Sequence, residues 1–406
     1  MATIGCTLKP VDDPNAISSF ERIWSEADKM TFLADLLELG TALPDAELVK
    51  LADLMDRYEG HFNCISNHLY TYLSEQDRRR FVIWFLKRWG KIDVVGSDER
   101  SAYLDVVEKA FASYGEESIG NTRYILRRYE EAGYGFELLG YDWFTGVHDI
   151  LFDQYATESF DVKRSDVIID GGAFIGDTAV LFNAKTEGQC QVHAFELLDE
   201  NLVLAHRNLE LNGLLGKVVL NKLALSDTSG QVLSIAQTRL QASTSLLFPG
   251  EVEVNTITVD EYVERSGIER VDFIKLDIEG AEIPALEGAR GTIEKHRPRL
   301  ALCLYHKWDD VLTIPAFLAS LSFEYEYRFK WVHLKLGTEA VILLTPRAAM
   351  RSQEDRASTE VVSFESSAIN LLRAYRKKYK QADDLWQAKK AERSSASDNG
   401  HEAGAT

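Results

Sequence analysis

The strongest constraint on the fold is an alternation of short apolar runs and amphipathic helices that begins near residue 165. Amphipathic helical patterns, such as 199–211 and 281–294, lie between most of these runs. The runs predicted to be strands are 166–170, 191–196, 218–225, 271–277 and 299–305. Because these strands are apolar on both faces, the pattern predicts a mostly parallel sheet covered by helices on each side.

Two further strands end the pattern. Residues 323–329 and 339–344 have strand character, and the connection between them is short. It is too short for a helix that crosses over to a parallel neighbour, so the two should form an antiparallel hairpin. The predicted fold class is α/β, with a mostly parallel sheet and a C-terminal antiparallel hairpin.

The chain has 406 residues, more than one core usually organises. Apolar spacing of three and four over 17–135 predicts an all-helical N-terminal domain, which we place at 1–150, before a sheet domain at 151–348. Residues 349–406 read as a basic amphipathic helix, Ile369 to Trp386, followed by a disordered tail. This helix is interpreted as packing on the body of the protein or on a second subunit, which would give a homodimer.

The formal net charge of −19 argues against nucleic acid and against anionic membranes as partners. No stretch approaches the roughly 18 apolar residues of a membrane span, and the N-terminus lacks a signal-peptide core. The four cysteines are far apart and show no metal-ligand spacing, so reduced thiols and a cytoplasmic location are expected.

The stretch "VIIDGGAFIGDT" joins a strand to a helix through a glycine bend, a geometry that exposes backbone N–H groups to many ligands. Gly171 and Gly176 have the spacing of the outer glycines of GxGxxG, but Ala173 stands at the middle position. A carboxylate at Asp170, directly before the bend, would repel a pyrophosphate and favours a cationic ligand.

Glu196 ends the second strand, twenty residues after Gly176, where a carboxylate can accept both hydroxyls of a ribose. A cation, a ribose and an adenine-sized plane together describe S-adenosylmethionine. The alternative is a tight bend capped by a carboxylate, and for Glu196 alone a solvated strand end.

A second group of charged residues follows the strands at 271–277 and 299–305. Lys275 and Asp277 share one face of the strand. Either Lys275 forms a structural pair with a carboxylate, or both residues orient the acceptor or the cofactor ammonium. Glu279 is a candidate at the crevice, whereas Glu282 is explained by the helix dipole. His306 is the preferred general base for the methyl transfer, with Asp277 or Glu279 as the substitute.

The acidic residues do not predict a metal, because no close spacing within one loop joins Asp277 and Glu279 to Asp309 and Asp310. HExxH, GxSxG and GxxxxGK[ST] motifs are also missing from the sequence. Zincins, serine hydrolases and P-loop enzymes are therefore excluded.

The successive motifs "IDGGAFIGDT", "AFELLDEN", "LALSDTSG", "VDFIKLDIEGAE" and "LYHKWDD" resemble those of the FkbM family of S-adenosylmethionine-dependent methyltransferases. The resemblance covers about 165–345. It implies a class I methyltransferase fold, Rossmann-like, with a seven-stranded sheet that contains one antiparallel strand. It also implies O-methylation of a sugar, glycan or secondary-metabolite hydroxyl, as a small-molecule acceptor.

The resemblance also implies which residues bind the cofactor. Glu196 would hold the ribose, and Leu197 departs from the proline common after this acid, which affects loop stiffness more than ribose binding. The methionyl end would meet Asp170, Gly172, Ala173, Gly176 and Thr178, with Gly171 completing the bend. The adenine edge would meet Ala224, Leu225 and Ser226.

Two rival functions stay open at this point. One is an NAD- or nucleotide-sugar-dependent enzyme on a related Rossmann sheet, which would need a crevice that tolerates pyrophosphate. The other is a non-catalytic cofactor-binding scaffold that assembles through the tail helix. Binding of NAD compared with S-adenosylmethionine separates the first from a methyltransferase.

Overall fold

The computed structural model divides the chain into two units. The larger unit is Ile65–Val362, and the other combines Met1–Cys64 with Ser363–Thr406. The structure describes residues 50, 54, 57–58, 60–110, 114–130, 133–235, 252–348, 361–364 and 367.

A seven-stranded sheet forms the core of the larger unit. Its spatial order is β12-β13-β11-β10-β4-β5-β6. The strands are β4 (Val167–Gly171), β5 (Gln191–Phe195), β6 (Val218–Asn221), β10 (Phe273–Leu276), β11 (Arg299–Cys303), β12 (Tyr325–His333) and β13 (Thr338–Pro346). β10 and β11 are buried along their whole length, as expected for central parallel strands.

β13 is the antiparallel strand of this sheet. It pairs antiparallel with both β11 and β12, whereas β4, β5, β6, β10 and β11 pair parallel with one another. The predicted C-terminal hairpin and the mostly parallel sheet are therefore confirmed.

Helices alternate with the strands and cover the sheet. Ser74 caps the helix α2 (Glu75–Arg88), because its side chain accepts a hydrogen bond from the N–H of Asp77. Residues Phe81–Leu86 of this helix are buried. Phe81 of α2 packs edge-on against Phe329 of β12, at 5.3 Å between ring centroids. The helices are α1 (Phe62–His68), α2 (Glu75–Arg88), α3 (Ser97–Lys109), α4 (Asp177–Lys185), α5 (Asp199–Leu211), α6 (Val259–Arg265), α7 (Glu282–Glu287), α8 (Arg290–His296) and α9 (Asp310–Ala319), together with a π-helix (Val147–Leu151).

The prediction that 1–150 is all helical is wrong over 115–140. Three antiparallel strands lie there, β1 (Gly115–Ile119), β2 (Thr122–Arg128) and β3 (Glu137–Gly140). Gly120 and Asn121 connect β1 to β2, with Gly120 at φ +60°. A two-residue Gly-Asn loop is a strong hairpin signal, because both central positions favour residues that tolerate positive φ.

The predicted strand at 218–225 is broken in two. β6 ends at Asn221, and the short β7 (Ala224–Leu225) joins a separate three-stranded sheet of order β7-β9-β8. Its other members, β8 (Val232–Ile235) and β9 (Val252–Ile257), were not predicted. Ala224, Ile235 and Val254 form its buried core. The break brings β7 to the carboxyl edge of the large sheet instead of extending β6.

Several predictions lie outside the described residues. These include the helices within 17–49, the C-terminal helix from Ile369 to Trp386 and the disordered tail. The domain boundaries at 150 and 348 and the homodimer stay predictions. Among the described helices, none is both long and apolar enough to cross a membrane.

Candidate functional site

Asp170 and Lys275 form a buried ion pair at the carboxyl edge of the sheet. They are register partners on the adjacent strands β4 and β10, and Lys275 Nζ lies 3.1 Å from Asp170 Oδ1. The other carboxylate oxygen of Asp170 accepts a 2.6 Å hydrogen bond from the Thr178 hydroxyl. Lys275 Nζ also donates to the carbonyls of Gly171 and Gly172, at 3.1 and 2.7 Å.

Lys275 therefore has two carbonyl acceptors and one paired carboxylate within the protein. Burial opposes the charge on Lys275, but the carboxylates of Asp170 and Asp277 outweigh it and raise the pKa of the lysine. Of the two interpretations of Lys275, the geometry matches the structural pair. The nearest cation to Asp170 is thus part of the chain, so selection of a cationic ligand cannot depend on Asp170 alone.

The glycine bend is shaped by contacts within the protein. The N–H groups of Gly172 and Ala173 both donate to the carbonyl of Phe195, at 3.0 and 2.9 Å. A Cβ on Gly172, which has φ +79°, would lie 1.8 Å from the carbonyl oxygen of Asp277. These N–H groups are not free for a ligand, and Gly172 is required because the bend packs directly against the end of β10.

Other predicted cofactor residues gather at the same bend. A Cβ on Gly171 would lie 3.1 Å from the Leu225 side chain, so β7 touches the bend. A Cβ on Gly176, at the start of α4, would lie 3.3 Å from Ala205 of α5. The structure therefore brings the glycine bend and β7, with Ala224 and Ser226 flanking Leu225, to one corner.

Asp277 follows β10 and is surrounded by donors. The Tyr155 hydroxyl donates to its Oδ2 at 2.6 Å, and the Tyr305 hydroxyl donates to its Oδ1 at 2.8 Å. Burial would raise the pKa of Asp277, but His306, Lys275 and Tyr155 outweigh burial and lower it. A carboxylate with so low a pKa and so many donors is a weak proton acceptor.

His306 follows β11 and is held by Glu282. Its Nδ1 lies 2.8 Å from Glu282 Oε1, which also accepts a hydrogen bond from the N–H of Ile278. Burial would lower the pKa of His306, but Glu282 and Asp277 raise it well above the ordinary value. These two carboxylates therefore favour the protonated, imidazolium form of His306. Its Nε2 has no hydrogen-bond partner of good geometry and lies 3.3 Å from Asp277 and 3.6 Å from Glu279.

Glu279 has the properties that Asp277 and His306 lack. Its side chain is 27% exposed, and its backbone has the unusual φ of +55°. Burial, together with the charges of Asp277 and Glu282, raises its pKa to about 7 despite the opposing charge of His306. A carboxylate that titrates near neutral pH is suited to accept a proton. Strained backbone of this kind is concentrated at functional sites.

A comparison with models of protein families relates this corner to known proteins. Residues 170–329 match the model described as "Methyltransferase FkbM domain". The match covers less than half of the chain, and over these residues the chain is similar to FkbM methyltransferases. The match begins at Asp170 and runs through β12, so the corner described above lies within this domain apart from Tyr155. No curated protein is significantly similar to the chain.

Solved structures are similar to parts of the chain at low identity. A methyltransferase FkbM from Methylobacillus flagellatus KT is 20% identical over 45% of this chain and 44% of its own, with a TM-score of 0.35. TrmK of M. capricolum in complex with S-adenosyl-homocysteine is 13% identical over 47% and 66%, with a TM-score of 0.31. A SAM-dependent O-methyltransferase from Thermotoga maritima is 18% identical over 48% and 64%, with a TM-score of 0.30. The alignment spans less than half of the M. flagellatus chain.

The corner also holds acidic residues that sequence reasoning missed. Burial and the charge of Asp277 raise the pKa of Asp149 to about 6 and that of Glu339 to about 8. Burial and the charge of Asp149 raise the pKa of Asp177 well above its usual value. Asp149 lies in the π-helix, an element often found at functional sites, but a π-helix leaves no distinct mark in the sequence.

Glu196 directly follows β5 and lies beside the bend. Its Oε1 accepts hydrogen bonds from the N–H groups of Leu197 and Leu198, at 2.7 and 2.8 Å. Its carboxylate is also bonded by the Asn201 side chain and the backbone of Phe174. Burial raises its pKa above the ordinary value in spite of these bonds. Glu196 is therefore fixed in position and carries acceptor atoms at the corner.

No metal-binding arrangement accompanies these acids. Within the part of the chain that the structure describes, no group of three or more His, Cys, Asp or Glu side chains is placed to hold a metal ion. Asp310 is instead bonded to the N–H of Lys307, at 2.6 Å.

Proposed function

We propose that the protein is a cytoplasmic, S-adenosylmethionine-dependent methyltransferase that methylates a hydroxyl of a sugar, glycan or secondary-metabolite acceptor. One observation carries the proposal. The carboxyl edge concentrates buried carboxylates, of which several have raised pKa values, around two cations of the chain, Lys275 and His306. A cationic ligand would relieve this repulsion, whereas a pyrophosphate would increase it.

The residues at the corner fit S-adenosylmethionine. Glu196 is positioned at a strand end for ribose hydroxyls, and Ala224, Leu225 and Ser226 would line the adenine. The carboxylates of Asp149 and Glu279 would meet its positive groups, while Asp170, with Lys275 and Thr178, would shape the bend beneath its methionyl end. When bound, the cofactor supplies a methyl group already activated by a sulfonium.

The chain's own residues then have two tasks, which are to align the acceptor and to remove its proton. We assign the proton to Glu279, because its carboxylate combines exposure with a pKa of about 7. His306 would donate a hydrogen bond from Nε2 to the acceptor oxygen, with Glu282 holding the ring in place. This differs from the first expectation that His306 is the base, since an imidazolium has no free electron pair to accept a proton.

Calorimetry of cofactor binding tests the proposal without knowledge of the acceptor. S-adenosylmethionine should bind and release protons at pH 7, because its positive charge lowers the pKa of Glu279 and Glu339 from near or above the solution pH. The number of protons follows from titrations in two buffers with different ionisation enthalpies. S-adenosylhomocysteine, which lacks the sulfonium charge, should bind with less proton release.

NAD is the control for the rival Rossmann enzyme and should give no binding heat. Binding of NAD without binding of S-adenosylmethionine would reject the proposal. Binding of S-adenosylmethionine with no proton release would support the cofactor assignment but would refute the electrostatic argument for it.

A further inference from the structure

Three aromatic side chains form a partly exposed stack beside the cofactor corner. We call Tyr141, Trp143 and Phe174 the aromatic platform. The rings of Tyr141 and Trp143 lie 5.6 Å apart and within 4° of parallel, and Phe174 is 5.7 Å from Tyr141 and 5.8 Å from Trp143. Trp143 is 39% exposed, so part of this stack faces solvent.

The platform is rigid. Arg127 is buried and donates to the backbone carbonyls of Tyr141 and Asp142. Phe174 has a φ of +45°, which is rare for an aromatic residue and is kept only where the surroundings enforce it. An exposed tryptophan held in one place loses little freedom on binding, which favours a ligand site over a mobile surface residue.

Two sets of hydrogen bonds connect the platform to Glu196. The Tyr141 hydroxyl donates to Asn201 Oδ1 at 2.8 Å, and the Asn201 side chain is bonded to the Glu196 carboxylate. The backbone of Phe174 is bonded to the same carboxylate. The platform therefore adjoins the residue assigned to the cofactor ribose, at the carboxyl edge where ligands bind in open α/β sheets.

We propose that the aromatic platform binds a hydroxylated ring of the methyl acceptor, that is, a neutral sugar ring. The flat rings offer apolar contact to the C–H face of such a ring. Glu200, whose Oε1 accepts from the Tyr124 hydroxyl at 3.1 Å, and Asp142, which is exposed, offer acceptors for its hydroxyl groups. An anionic ring would be repelled by these acids.

The origin of the rings favours acceptor over cofactor. Tyr141 and Trp143 come from the segment after β3, which lies outside the FkbM match at 170–329, whereas Glu196, Leu225 and the glycine bend, which we assign to the cofactor, lie inside it. A segment outside the common domain is the natural place for acceptor specificity. This inference rests on the proposed function, which it deepens by naming the acceptor class.

Saturation-transfer difference NMR on the full chain tests it. The probes are maltose and methyl β-D-glucopyranoside as neutral sugars and 2-naphthol as a planar aryl alcohol, each with S-adenosylhomocysteine present. We expect transfer to the sugar ring protons, a roughly tenfold or greater loss of affinity in Trp143→Ala and a smaller loss in Trp143→Phe. Tyr114→Ala removes another exposed aromatic, whose ring lies against Arg128 and is not one of the platform rings, and should leave sugar binding unchanged.

Other results would overturn the inference. These are transfer to 2-naphthol but to neither sugar, no transfer to any probe, or equal losses in Trp143→Ala and Tyr114→Ala. Loss of S-adenosylhomocysteine binding in folded Trp143→Ala, checked by circular dichroism, would assign the platform to the cofactor. Wild-type protein that does not bind S-adenosylhomocysteine would instead refute the proposed function, so the two failures are distinguishable.

Discussion

Replacing Lys275 with methionine should strongly destabilise the larger unit. Methionine has a similar length but no charge, so the change leaves Asp170 buried with one hydrogen bond, from Thr178, and no cation beside it. Removing one member of a buried ion pair typically costs about 3–5 kcal/mol, because the remaining charge is not solvated. The Gly171 and Gly172 carbonyls also lose their donor, so we expect a loss in the free energy of unfolding toward the upper end of that range.

The loss should depend on pH with a defined sign. In wild type the pKa of Lys275 is raised on folding. The stability that this lysine contributes is therefore complete below its unfolded-state pKa and is lost only as pH rises through its folded-state pKa, so it is constant between pH 5 and 8. In Lys275→Met the unpaired carboxylates should have raised pKa values. The folded variant then binds more protons than the unfolded one, so its stability falls as pH rises and the deficit is larger at pH 8 than at pH 5.

Urea unfolding at both pH values measures the deficit. Lys222→Met is the matched control, because its partner is the exposed Asp199, at 2.7 Å, and such pairs contribute about 0–1 kcal/mol. A Lys275→Met deficit at pH 8 no larger than that of Lys222→Met would refute the argument that the ion pair is buried and holds the bend. A deficit that grows toward pH 5 would refute the assigned charge states.

Two further predictions concern the bend and the base. Gly172→Ala should prevent stable folding of the sheet, because its Cβ would lie 1.8 Å from a backbone oxygen. Gly213 also has a positive φ but no atom within 4 Å of such a Cβ, so Gly213→Ala should cost only about 1–2 kcal/mol, measured by thermal unfolding. Equal losses in the two variants would contradict the packing argument. For the acceptor found with a deuterium-labelled methyl donor, kcat/KM should rise with pH to a plateau above about pH 7, as Glu279 deprotonates. Glu279→Gln should remove that rise and lower the rate about 10²–10⁴-fold, and a rise that persists there but vanishes in His306→Asn would make His306 the base.

The mostly parallel large sheet and its final hairpin were predictable because their signals are local. Strands that are apolar on both faces, such as β10 and β11, indicate parallel pairing. A short connection before β13 indicates antiparallel pairing. Neither signal requires knowledge of side-chain contacts. The sheet at 115–140 was missed although its Gly120–Asn121 turn is visible in the sequence. Period-two patterning in β1 is weak because both of its faces carry polar residues, so the turn was the stronger evidence.

The site was harder to predict because charge pairing is a property of register. Asp170 and Lys275 are 105 positions apart in the chain, and only the parallel alignment of β4 and β10 places them side by side. Asp149 and Glu339 join the same corner from the π-helix and from β13. No local pattern connects such distant residues, so sequence reasoning placed the electrostatic selection on Asp170 and overlooked its partner.

The corner as a whole still favours a cationic ligand, although Asp170 is paired with Lys275. Lys275 offsets one carboxylate, and His306 is bound by Glu282 and lies near Asp277. The pKa values of Asp149, Glu279 and Glu339 are raised by burial and by the nearby charge of Asp277. These carboxylates therefore bind protons where the corner has no cation beside them. A sulfonium or ammonium can take the place of those protons without rearranging the chain, and a diphosphate cannot.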